Sequence, residues 1–183
     1  MIKFTKYLPY VVAIIIFSCA ASIYFYPVFQ GKKLAQSDIT QFIGMSKEIK
    51  DYRTENNTEP YWSGAVFSGM PTYQVSAYYP NDYIRKIDRF FRFLPRPADY
   101  VFLYFISFFI LLLALKVPWK LGVLGALSFG FSTYLIIIFG AGHNSKAHAI
   151  AYMPLVLAGV LWVFQKKYLL GFVVTGLAMA LEI

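Results

Sequence analysis

The stretch LGVLGALSFGFSTYLIIIFGAG, residues 121–142, holds no Asp, Glu, Lys or Arg. It is long enough for the ~20 apolar residues that a helix needs to cross a bilayer core of about 30 Å. It lacks the two-residue alternation of a barrel strand, and its glycines are of the kind membrane helices tolerate. Backbone groups in lipid must be satisfied within their own segment, which again selects a helix. Working outward, the same reading applies to residues 8–29, 100–115 and 148–164. A fifth apolar block opens at Tyr168 and runs to the last residue, Ile183. The expected fold class is an all-α membrane protein, with four complete transmembrane helices plus part of a fifth.

Composition agrees. Hydrophobic residues make up 58% of the chain and charged ones 14%, against roughly 45–50% and about 25% in ordinary globular proteins. The mean hydropathy is +0.55. Disorder and an ordinary cytosolic fold are excluded. The net charge of +8 would suggest nucleic acid in a soluble protein, but its distribution points to lipid, and no nucleic-acid partner is expected.

Short-loop Lys and Arg set orientation. Lys3 and Lys6, Lys116 and Lys120, and Lys166 and Lys167 fall on one side of an alternating path, which becomes the cytoplasm. The short loop opposite, 141–147, carries only Lys146. Three parts follow: 1–29 as the cytoplasmic N-terminus and first span, 30–98 as an outer loop, and 99–183 as spans two to five. The fifth block stops without flanking anchors beyond Glu182, as expected of a piece of a larger multi-spanning protein. A cleaved signal is the rival reading of the N-terminus, with Ile16-Phe17-Ser18-Cys19 loosely like a lipoprotein box. Phe17 fits that box poorly and the apolar run continues past Cys19, so an uncleaved anchor is expected. Cys19 is the single cysteine, which rules out an internal disulfide and leaves a small packing residue.

The outer loop is structured in three parts. Ser37 and Asp38 are placed to cap a helix running through Ile39, Phe42, Ile43, Met45 and Ile49. Residues 53–79 are aromatic and turn-rich. Residues 81–94 read as an amphipathic helix in the headgroup plane, Tyr83, Ile84, Ile87, Phe90, Phe91 and Leu94 sharing a face bordered by Arg85, Lys86, Arg89 and Arg92.

Two places carry chemistry. Asp38, just beyond the first span, is either a helix cap or a carboxylate facing a lipid-borne substrate. The cluster at 140–148 frames His143, Asn144 and Lys146 with glycines, giving donors suited to phosphate or sugar oxygens. His143 and His148 are five residues apart rather than the four of a same-face metal pair; a polar loop with His148 hydrogen-bonded is the plainer reading. Glu182 reaches the same outer side, where an ionisable group is a functional candidate. Walker, dinucleotide, Cys-based zinc and GxSxG signatures are all missing from the sequence, and Asn56-Asn57-Thr58 is an uninformative glycosylation sequon.

The order Leu34-Ala35-Gln36-Ser37-Asp38-Ile39, Trp62-Ser63-Gly64, Phe67-Ser68-Gly69-Met70-Pro71, Gly142-His143-Asn144-Ser145-Lys146 resembles the YfhO-like family in its Bacteroidetes form. Those are large bacterial membrane proteins grouped with GT-C-type glycosyltransferases. The resemblance covers nearly all of this chain, but only the N-terminal part of such a protein. It implies a GT-C-like fold in the bacterial cytoplasmic membrane, N-terminus inside. It also implies a transferase using a polyprenyl-phosphate-sugar donor, a cell-envelope acceptor and surrounding membrane lipids. Asp38 matches the acidic position after the first span and would act as general base. Ile39 follows it, so the acidic pair seen in some relatives is missing; no metal ligand is assigned, although a divalent metal stays open as cofactor. On chemical grounds Lys146, His143 and Arg96 would meet the leaving phosphate, and Trp62 and Tyr73 would stack on sugar or polyprene. Rival readings are a flippase or transporter of lipid-linked sugars, disfavoured by few polar residues at mid-span, and a non-catalytic assembly subunit.

Overall fold

The computed structural model describes residues 7–76 and 78–182 and is mostly helical. Lys3 and Lys6, on which part of the orientation argument rests, lie outside the described residues, as does Ile183. The helices are α1 (Leu8–Tyr24), α2 (Tyr26–Phe29), α3 (Ser37–Met45), α4 (Lys47–Asn56), α5 (Tyr83–Phe91), α6 (Ala98–Ala114), α7 (Trp119–Gly130), α8 (Thr133–Ala141), α9 (Asn144–Phe164) and α10 (Tyr168–Glu182). One antiparallel pair, β1 (Trp62–Ser63) and β2 (Met70–Pro71), sets Trp62 opposite Pro71 and Ser63 opposite Met70.

Two stretches are long and apolar enough to cross a membrane, Trp119–Ala141 and Asn144–Phe164. The apolar helices α1, α6 and α10 are shorter, at 17, 17 and 15 residues. At 1.5 Å per residue they reach roughly 22–26 Å, somewhat short of a ~30 Å hydrocarbon core.

The core centres on α6, which packs against α1, α7 and α9. Its residues 98–105 are all buried, because aromatic side chains from every neighbour converge on it. Phe17 of α1 meets Phe105 and Phe109, each with ring centroids 5.5 Å apart. Phe139 of α8 stacks on Tyr100 at 5.9 Å. Such pairs contribute about 0.5–1.5 kcal/mol each beyond area burial. By contrast the outer faces are apolar and open: Ile15, Ile23, Leu169 and Phe172 are all exposed.

The stretch 121–142 is not one continuous helix. It breaks between α7 and α8, where Ser132 is extended (φ −61°, ψ 141°). Just before the joint α6 approaches closely: a Cβ on Gly130 would stand 2.5 Å from the Phe105 ring. Hydropathy does not register such a break, because the residues on both sides stay apolar. The two basic turns that follow α6 and α9 share one geometry. Lys116 (φ +64°) and Lys166 (φ +63°) occupy the left-handed position. The next residues, Val117 and Lys167, donate back to Leu112 O and Trp162 O, the pattern of a Schellman stop.

The outer region differs in detail from its sequence reading. The helix beginning at Ser37 breaks at Ser46, giving α3 and α4. Neither Ser37 nor Asp38 caps it; both lie inside its first turn, and Gln36 is the N-cap residue without a capping bond. The amphipathic helix is shorter than 81–94, and Asp82 caps it by accepting from Arg85 N–H at 2.8 Å.

Candidate functional site

Two carboxylate–histidine contacts gather at one end of the bundle, one from the N-cap residue of α9 and one from within α9. The first begins with the end of α8. Its last carbonyls lack intrahelical donors, and the chain turns away through Gly142 at φ +97°. Two residues at the start of α3 add donors there: Gln36 Nε2 donates at 2.6 Å to Phe139 O, which also accepts from Gly142 N–H, and Ser37 Oγ donates to Ala141 O at 3.2 Å. Gln36 and Asn144 also exchange amide hydrogen bonds, at 3.1 and 3.3 Å. The approach is tight enough that a Cβ on Gly142 would stand 3.1 Å from Asp38 Cβ and 3.2 Å from Gln36 Cβ. Glycine is therefore required twice over, by its φ and by the space. Asp38 is delivered beside His143, Oδ2 to Nε2 3.0 Å, with both side chains about half exposed at 44% and 51%.

The second contact is buried. Asp88 on α5 is 4% exposed. Its Oδ1 faces His148 Nε2 at 2.7 Å and accepts from the Tyr152 hydroxyl at 2.9 Å. Its Oδ2 accepts from Arg92 Nε at 2.8 Å and also from Arg92 Nη2. Arg92 in turn donates from Nη1 to Asp99 Oδ2 at 3.0 Å, and Arg96 lies 3.7 Å from the same oxygen. Both guanidinium groups sit over the Tyr100 ring, at 5.3 and 4.8 Å. The i, i+4 spacing supplies both halves: Asp88 on α5 with Arg92 at its C-cap, and His148 with Tyr152 on α9. Burial pushes the Asp88 carboxyl up, but hydrogen bonds from His148, Arg92 and Tyr152 outweigh it and hold the group well below the usual carboxylate range. Burial likewise works against Arg92, and Asp88 beside it more than compensates, raising the guanidinium above its ordinary value.

A cleft of about 720 Å³ opens beside this network, lined among others by Tyr73, Arg85, Arg92, Arg96, Asn144 and Glu182. That volume falls within the ~300–1,000 Å³ of small-molecule sites. Of the residues singled out from sequence, Tyr73, Arg96, Asn144 and Glu182 meet here. Asp38 and His143 are not in its lining; His143 is the chain neighbour of Asn144, which is. Two others lie elsewhere. The Lys146 amine rests 5.2 Å from the Tyr134 ring centroid, and Trp62 lines a separate hollow with Tyr61 and Glu48.

The polar loop 141–147 is mostly helix: Asn144, Ser145 and Lys146 form the first turn of α9. That separates the two histidines, His143 turning to Asp38 and His148 to Asp88. Among the described residues, no three His, Cys, Asp or Glu side chains gather where they could hold one metal ion.

Sequence reasoning passed over Asp88, Asp99 and Tyr152. A signal for them was present. An acid four residues before an arginine on an otherwise apolar helix face, together with a His–Tyr pair at the same spacing at the head of an apolar helix, mark two polar stripes seeking each other. Set against known proteins, the chain matches no family model, no curated protein and no solved structure.

Proposed function

We propose that this chain acts as a membrane glycosyltransferase, moving a sugar from a polyprenyl-phosphate donor to a cell-envelope acceptor at the outer face of the bacterial cytoplasmic membrane. In this reading α1, α6, the α7–α8 pair and α9 cross the bilayer, N-terminus inside, and α10 belongs to a fifth span, giving a GT-C-like arrangement. The exposed Tyr83, Ile87 and Phe90 of α5 rest in the headgroup layer, while Asp88 and Arg92 turn inward.

One observation carries the proposal: an accessible carboxylate, Asp38, lies 3.0 Å from His143, the chain neighbour of Asn144 in the lining of an arginine-bearing cleft. As general base, Asp38 takes the proton of the acceptor hydroxyl while that oxygen bonds to the anomeric carbon. The bond from the anomeric carbon to the phosphate oxygen breaks, its electron pair leaves with the polyprenyl phosphate, and the configuration inverts. Arg96 and Arg85 line the cleft where the departing phosphate gains charge, the place where preorganised donors act. His143 is better placed to orient the Asp38 carboxylate than to meet phosphate directly. Lys146, held over Tyr134, is withdrawn from the leaving-group role.

The test is an Asp38→Asn substitution in the full-length protein, followed by transfer from a polyprenyl-phosphate-sugar donor in membranes. Loss of about 10²–10⁴-fold, the range typical of a general base, with normal membrane insertion, supports the proposal. Retained transfer ends it.

A further inference from the structure

A second hollow, of about 800 Å³, lies between α4 and residues 58–62. It shares no lining residue with the cleft beside Asp88. Ile49, 1% exposed, is buried at its base. Its rim is aromatic, with Tyr61 86% and Trp62 62% exposed and Tyr52 beside them. Exposed aromatic clusters of this kind mark recognition surfaces, and here the backbone of Tyr61 and Trp62 is held in place.

Trp62 pairs with Pro71 across the two-stranded ladder. Its indole lies against Gly69, whose φ is +118°; a Cβ there would stand 2.7 Å from Trp62 Nε1. Tyr61 O accepts from Thr72 N–H at 3.2 Å, which fixes the backbone that carries the second ring. The acceptors are equally constrained. Glu48 accepts from the Ser63 hydroxyl and, at 3.0 Å, from Ala65 N–H. The Ser63 bond first, then the Ala65 bond, hold this carboxyl below its usual range. Glu59 is held by Arg53 Nε at 2.8 Å.

Aromatic faces beside carboxylate acceptors held by hydrogen bonds match the chemistry of a sugar ring, which presents an apolar C–H face and a rim of donating hydroxyls. The charge of Arg53 is engaged by Glu59, so Glu48 leaves the hollow unfavourable to anions. We propose that this hollow binds an oligosaccharide bearing neutral or amino sugars, its rings stacking on Trp62 and Tyr61 and its hydroxyls donating to Glu48 and Glu59. Binding here is independent of the transfer chemistry assigned to Asp38.

Saturation-transfer NMR on the full chain in lipid nanodiscs tests this. The probes are chitotetraose, its deacetylated tetraglucosamine counterpart and tetragalacturonate. The first two are expected to bind saturably and the third not at all. Trp62→Ala should weaken binding by about tenfold or more, as aromatic anchors usually do, with Trp62→Phe restoring most of it. Tyr61→Ala tests the same surface at a side chain too exposed to matter for folding. Absence of saturable binding by either uncharged or amino probe overturns the proposal. So does preference for tetragalacturonate, or affinity unchanged in both Tyr61→Ala and Trp62→Ala. An Asp38→Asn chain is expected to keep oligosaccharide binding intact, which separates this site from the transfer reaction.

Discussion

Asp38 and Asp88 make nearly the same contact and serve opposite ends. Each carboxylate meets a histidine Nε2, at 3.0 and 2.7 Å, and the two histidines lie within one turn and a half of each other around the start of α9. What differs is access to water. Asp38 and His143 are half exposed and have few other partners, so the pair itself contributes only ~0–1 kcal/mol and a substrate can reach it. Asp88 is enclosed and satisfied by His148, Tyr152 and Arg92 together. Buried charges of this kind persist only when paired, and breaking such a pair leaves the partners uncompensated. Burial, rather than residue type, divides an accessible carboxylate from a structural tie.

The comparison is broken most sharply at Asp88. Asp88→Ala strands Arg92 and His148 in a buried site, and a loss of about 3–5 kcal/mol is expected, read as a lowered unfolding temperature and faster proteolysis between residues 76 and 98. Acid probes the same centre. The folded Asp88 carboxyl lies below its unfolded value, so its contribution is full above the unfolded value of about 3.9. It is lost as pH falls further toward the folded value. A wild-type chain should therefore lose stability below about pH 4 more steeply than Asp88→Asn, in urea melts at stepped pH. Equal slopes would mean the network is not formed.

Gly142 gives an intermediate effect. Alanine there must adopt a left-handed backbone, at about 1–2 kcal/mol, and must push Asp38 away. Gly142→Ala should lower both melting temperature and transfer; a variant with full transfer would show that the Asp38–His143 contact is dispensable. The smallest effect on stability belongs to Asp38 itself. Asp38→Asn should stay within about 0.5 kcal/mol of wild type, as surface changes usually do, while transfer falls. A large destabilisation would erase the distinction between the two carboxylates.

The helical blocks were legible because apolar runs announce themselves without any long-range information. Breaks within them were not. The 121–142 stretch is interrupted at the extended Ser132, next to Gly130, whose lack of a side chain admits Phe105 of another helix. Asp38 was legible as a candidate from its place after the first span, yet its histidine partner lies 105 positions away and no local pattern couples them. The head of α9 was read as a loop because Asn144, Ser145 and Lys146 are polar, although a first turn with unpaired N–H groups suits such residues. Asp88 was passed over because an amphipathic helix draws notice to its apolar face and basic border, whereas the aromatic side of α5 faces outward and the acid faces in.

The reciprocal amide bonds between Gln36 and Asn144 have a topological consequence. They fasten one end of the outer segment to the first turn of α9, and Asp88 fastens the other end to His148, four residues along the same helix. Everything between these ties is a loop whose two ends are clamped about one helical turn apart. The entropy of closing such a loop grows only logarithmically, about 0.6 kcal/mol for each doubling of its length. Insertions, deletions or replacement between residues 46 and 81, which leave α3 and α5 whole, should thus cost the bundle little, so long as both clamps survive. The outer segment is in effect a socketed cartridge, in which ligand preference can diverge while the helices beneath it stay as they are.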